Sequence, residues 1–120
     1  MAQASDDGLT PTLYPLDLPG ITDLVIVQAS VQVAQNEEDC SAFEMTEKDV
    51  RRYFAQAQRI EQQDYSHMVD WSSCQATGTV AFADGSRANW RLQRYRAGLL
   101  VYPDGREQHL YCAQCAEPFQ

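Results

Sequence analysis

This chain is short of bases and histidines and has no long apolar run. Each shortage narrows what it can be. Nine Lys and Arg stand against seventeen Asp and Glu, so the 120 residues carry a formal charge of −8 at neutral pH. Such a deficit of cations argues against a nucleic-acid binder, whose affinity comes from neutralising phosphates with Lys and Arg. No apolar stretch approaches the roughly 20 residues of a bilayer-spanning helix, which predicts a soluble chain without a membrane span. The only histidines are His67 and His109, and neither has metal-ligand spacing with another His or with an acid on a clear helix. A phosphate-cradling glycine loop, a paired-carboxylate motif and a nucleophile elbow are also missing. The motifs therefore point to no cofactor and no metal.

What is present is ordinary globular material, 44% hydrophobic and 22% charged, at a length that suits one core. The charge is distributed unevenly. Residues 1–50 hold ten acids and one base, Lys48, whereas residues 51–120 hold seven acids and eight bases, all arginine. Part of that acidity has a local explanation, because Glu47 and Asp49 stand where a helix N-terminus favours anions. The run Glu37-Glu38-Asp39 reads either as a solvated loop or, with Asp17 and Asp23, as an acidic face for a basic partner.

Cys40, Cys74, Cys112 and Cys115 form an even set in a short chain, the mark of a disulfide framework and an oxidising compartment. Two long bridges from Cys40 and Cys74 to the Cys112/Cys115 pair would constrain the unfolded chain most; Cys40–Cys74 with a tight Cys112–Cys115 bridge is the alternative. A four-cysteine zinc site wants two close pairs, and only one is present. A thioredoxin-like motif wants a helix after its pair, and Cys112-Ala113-Gln114-Cys115 is followed by too little chain. At the start, Ala2-Gln3-Ala4 has the small-x-small pattern that ends a secretory signal, with Met1 standing where the signal would be. The expectation is a periplasmic or secreted protein in its mature form.

The fold expected is α+β. Residues 1–20, rich in proline, glycine and acids, read as an irregular N-terminal arm, and 21–120 as a single domain. An apolar, β-branched stretch predicts a strand over about 24–34. Thr46 and Asp49 have capping-box spacing, Met45 and Val50 that of a hydrophobic staple. Val50, Phe54, Ala57 and Ile60 then recur at helical spacing, predicting one amphipathic helix over about 46–62. From about 75 to 112 the period is two, with turns at Ala83-Asp84-Gly85-Ser86, Ala97-Gly98 and Pro103-Asp104-Gly105. That predicts a four-stranded antiparallel meander on which the helix packs.

Candidate chemistry is sparse. In Tyr65-Ser66-His67-Met68-Val69-Asp70-Trp71, His67 and Asp70 have the residue types of an acid–base set. Ser66, Ser72 and Ser73 are the nearby hydroxyls, and the plainer reading is a structured loop. Arg87, Arg91, Arg94 and Arg96 interleave with Trp90 and Tyr95; Trp90 shares a strand face with Leu92 and belongs in the core. Arg91 and Tyr95 are then candidates for an open sheet face that meets a partner.

The succession Phe43-Glu44-Met45-Thr46-Glu47-Lys48-Asp49-Val50, Tyr53-Phe54, His67, Asp70-Trp71-Ser72-Ser73-Cys74, Gly78-Thr79, Phe82-Ala83-Asp84-Gly85, Trp90 and Leu110-Tyr111-Cys112 resembles small exported proteins of Gram-negative bacteria. Some similar proteins are immunity partners of secreted antibacterial toxins. The resemblance spans roughly residues 40–115 and brings no catalytic motif with it. It implies export, an α+β shape and a non-enzymatic binding role: an inhibitor that blocks a toxin. Asp17, Asp23, Glu37, Glu38, Asp39, Arg91 and Tyr95 are its candidate contact residues. The alternative is a small enzyme centred on His67 and Asp70 or on the Cys112/Cys115 thiols.

Overall fold

A computed structural model describes residues 11–115. The small-x-small reading at Ala2-Gln3-Ala4 and the first half of the N-terminal arm lie outside those residues. In chain order the elements are β1 (Leu13–Tyr14), β2 (Ile21–Gln32), α1 (Glu47–Gln56), β3 (Gln58–Ile60), α2 (Gln62–Met68), β4 (Cys74–Phe82), β5 (Arg87–Gln93), β6 (Ala97–Val101) and β7 (Glu107–Tyr111). The strands form one antiparallel sheet in the order β1-β3-β7-β6-β5-β4-β2. Strands β4 to β7 are the meander read from the period-two pattern, and the class is α+β.

The start of α1 follows from local chemistry. Thr46 Oγ1 accepts from the Asp49 N–H at 3.2 Å, and Asp49 Oδ2 accepts from the Thr46 N–H at 2.9 Å, closing the capping box. Met45 and Val50 flank it, both buried. The helix does not run on to residue 62. It ends at Gln56, and Ala57 is already extended at φ −68°, ψ 154°. Gln58–Ile60 leaves the helix because strand partners lie on both sides: Gln58 and Arg59 pair with Tyr111 and Leu110 of β7, and Arg59 and Ile60 with Tyr14 and Leu13 of β1. These ladder bonds replace the intrahelical ones, and one more helical turn offers only a weak local preference against them. A separate short helix, α2, occupies the segment read as a loop around His67.

The second turn also differs from its sequence reading. Ala97 and Gly98 begin β6, and the chain reverses at Arg94–Arg96, where Arg96 has φ 72°. A left-handed arginine costs about 1 kcal/mol, and the surroundings hold it there. Its carbonyl accepts from Tyr53 Oη at 2.7 Å and from the Cys112 N–H at 3.0 Å, while its Nε donates to the Cys115 carbonyl at 3.0 Å. Gly98 is required for a different reason. A Cβ there would stand 2.7 Å from the Tyr53 hydroxyl and 2.8 Å from Leu92.

Strand alternation divides the sheet into two faces. One carries Leu24, Ala76, Val80, Phe82, Ala88, Trp90, Leu92, Leu100 and Leu110, which form the core with Phe43, Met45, Val50, Tyr53 and Phe54. The Trp90 indole donates to the Thr79 carbonyl at 3.0 Å and lies across Gly78. The other face is covered in part by α2. Tyr65 sets its ring 4.6 Å from that of His109 and its hydroxyl 3.2 Å from Gln93 Nε2. The sheet is also curled. Tyr14 and Ile21 sit on opposite edges, six strand spacings apart, about 29 Å if the sheet were flat. Seven residues reach at most about 25 Å, so the edges must bend toward each other. Leu16 and Leu18 make that crossing packed against the core.

Candidate functional site

The acidic loop after β2 is built by its own side chains. Asn36 Oδ1 accepts from the Glu38 N–H at 3.0 Å, and Gln32 Nε2 reaches both Asn36 Oδ1 at 3.3 Å and the Glu38 carbonyl at 3.2 Å. Glu38 then turns inward. Ser72 Oγ donates to its Oε2 at 2.7 Å, the Ser73 N–H to its Oε1 at 2.8 Å, and Ser73 Oγ lies 3.0 Å from the same oxygen. Arg94 adds its charge at 3.5 Å. Partial desolvation pushes the Glu38 carboxyl up, but the three donors and the guanidinium together outweigh it and hold the carboxyl below its ordinary value. Glu38 is thus a clamp inside the molecule, and its carboxylate is not free for a partner. The same network occupies Ser72 and Ser73. Ser72 Oγ also accepts from the Cys74 N–H at 3.0 Å, and the Ser72 N–H donates to Gln93 Oε1 at 2.8 Å.

The remaining acids do not gather on one face. Asp39 is exposed; its Oδ1 accepts from the Ser41 N–H at 2.9 Å, a bond that holds its carboxyl below the ordinary value. Glu37 is exposed beside it. Asp23 sits near the opposite end of β2, opposite Ala81, and Asp17 belongs to the segment that leads into that end. Asp23 and Gln32 pair with Ala81 and Cys74, seven strand steps apart on β4, which separates the two acidic ends by about 24 Å.

Arg91 projects from the open face, in a cross-strand row with Thr77 and Leu99. Tyr95 does not join it, because it falls in the half-buried turn before β6. His67 and Asp70 are both exposed, and neither makes a hydrogen bond or ion pair among the described residues. The engaged histidine is His109, against Tyr65 and 3.7 Å from Glu107. Burial pushes its imidazole down, and Glu107 opposes that only in part.

The cysteines pair as Cys40–Cys74 and Cys112–Cys115, so the pairing with two long bridges is overturned. The first bridge pins the acidic loop to the start of β4. The second closes the turn after β7 against Arg96, with both sulfurs buried. Two disulfides fit a secreted or periplasmic protein. No described helix is long and apolar enough to cross a membrane.

One feature escaped the sequence reading. Among the described residues, the large exposed apolar side chains are Val25 at 46%, Val27 at 65%, Val33 at 48% and Trp71 at 55%. The three valines lie along β2 and its continuation, and the Val33 N–H donates to the Ser73 carbonyl at 2.9 Å, two residues beyond Trp71. The clue was available in Leu24-Val25-Ile26-Val27: a strand apolar at every position has two apolar faces, and an edge strand covers only one. Beside this stripe the open face holds two shallow depressions of about 320 and 400 Å³ that share Thr79, Asn89 and Val101. Arg87 and Asp23 border the first, Arg91 and Val27 the second.

No family model, curated protein or solved structure matches the chain.

Proposed function

We propose that this is an exported, non-enzymatic binding protein, and most concretely an inhibitor of the immunity type that blocks a secreted antibacterial toxin. The observation that carries the reading is the exposed valines Val25 and Val27 on β2, with Val33 and Trp71 exposed near its far end. Exposed apolar side chains with a polar border are how a protein-binding surface is built. Arg87, Arg91, Asn89 and Asp23 supply that border. The Cys40–Cys74 bridge and the Glu38 clamp fix the loop that follows β2, so little ordering entropy is lost on docking. Inhibition would be steric: the stripe anchors the contact, and the unpaired acids Asp17, Asp23, Glu37 and Glu44 steer a basic partner toward it. The test is a titration of the purified protein against candidate secreted antibacterial toxins, beginning with any encoded beside it. Stoichiometric inhibition that weakens with added salt is expected. Full toxin activity at a large molar excess of this protein would overturn the proposal.

A further inference from the structure

Sheet edges are normally blunted by short strands, proline, lysine or a covering element, because a free edge templates another strand. The two edges here are treated differently. β1 is two residues long and flanked by Pro11 and Pro15. β2 is twelve residues long, contains no proline or lysine, and carries a single charge, Asp23. Its far end is closed, since the Met45 N–H donates to the Ala29 carbonyl at 3.0 Å. Its near end pairs regularly with β4 from Asp23 to Ile26, opposite Ala81 to Gly78, and a bulge follows before Gln28. Val25 and Val27, exposed on this stretch, offer apolar anchors beside a backbone edge that pairs with nothing among the described residues.

We propose that the free edge of β2 over Asp23–Val27 takes up an extended, Lys- or Arg-bearing segment of the partner protein as an added strand. This rests on the binding-protein reading and names the chemistry of the partner. Main-chain bonds to the edge supply affinity in this mode, and alternate side chains supply specificity. Apolar residues of the incoming strand cover Val25 and Val27, and its cations face Asp23 and the exposed Glu44 next to Met45. Neither acid has an ion pair among the described residues. Charge selects this occupant over a second copy. Antiparallel self-pairing about Ile26 sets Asp23 of one copy opposite Ala29 of the other, beside Glu44, acid facing acid between two chains of charge −8.

The probes are a capped peptide of alternating valine and lysine and its valine–glutamate counterpart, titrated against the full chain at low and physiological salt. The expected result is binding of the lysine peptide alone, weakened by salt, with slowed amide exchange across Asp23–Val27. Asp23→Lys and Val27→Lys, surface changes whose fold is checked by circular dichroism, should each weaken it at least about tenfold. Equal binding of the acidic peptide, protection elsewhere, or unchanged affinity in both variants overturns the proposal. So does a dimer in sedimentation that Val27→Lys dissolves, since the edge would then serve a second copy. If both variants still inhibit the toxin as the parent does, the edge proposal falls and the inhibitor reading stands. If the peptide behaves as expected and no toxin is inhibited, the edge proposal stands and the inhibitor reading falls.

Discussion

Glu38 shows how one side chain can change its meaning on folding. Along the chain it is the middle of three acids, and nothing local separates it from Glu37 or Asp39. In the structure its donors come from Ser72 and Ser73, 34 and 35 residues away, so no short-range pattern could announce the clamp. Glu38→Gln should cost about 1–2 kcal/mol in urea denaturation at pH 7, the scale of a charge-assisted hydrogen-bond set at a partly solvated site. Because the folded carboxyl titrates below its ordinary value of 4.5, its contribution is complete above that pH and is lost as pH falls through the folded value. The gap between parent and Glu38→Gln should therefore close in acid; a gap that stays constant from pH 7 to 3 would show that the charge is irrelevant. Gly78 is a second such position. A Cβ there would meet the Val25 carbonyl and the Trp90 indole, both held by the sheet. Gly78→Ala is expected to lose at least about 2 kcal/mol, an overpacking cost, measured as a lowered thermal midpoint.

At the scale of elements, what could be read from the chain divides by the range of the interactions that decide each one. The cap of α1 was legible because Thr46 and Asp49 are three residues apart. The end of α1 was not, because it is set by β7 and β1, which lie far off in sequence. The meander was legible because hairpins join neighbouring strands, with Gly85 and Gly105 at φ 89° and 88° in the turns where the chain reverses. The disulfides act at this scale too. The bridge Cys40–Cys74 closes a separation of 34 residues and Cys112–Cys115 one of 3. Loop-closure entropy then assigns about 4 kcal/mol to the first and about 2 to the second. Replacing each pair by alanines should give losses in that order. A larger loss from the Cys112/Cys115 pair would mean that native packing, not chain entropy, sets its value.

At the scale of the whole molecule, curling brings the chain from one sheet edge to the other through Leu16 and Leu18, so the segment before β2 is part of the packing. Removing residues 1–20 should cost about 2 kcal/mol or more, from the apolar surface of those leucines alone, visible as a lower urea midpoint. An unchanged midpoint would show that this segment adds nothing to stability. The charge of −8 also takes a different form in three dimensions. Its concentration in the first fifty residues is a property of the sequence, yet β2 holds Asp23 and the start of the Glu37–Asp39 loop about 24 Å apart, and Glu38 is used internally. By itself the sequence determined the α+β class, the meander, the cap of α1 and the cysteine content. All of these depend on residue type and on spacings of a few positions. Only the tertiary structure decided which cysteines pair, where the first helix stops, which acid is a clamp and which apolar strand is left on an edge. Apart from the short Cys112–Cys115 bridge, those outcomes depend on groups that meet only after loops of thirty or more residues have closed, and no local pattern encodes which groups will meet.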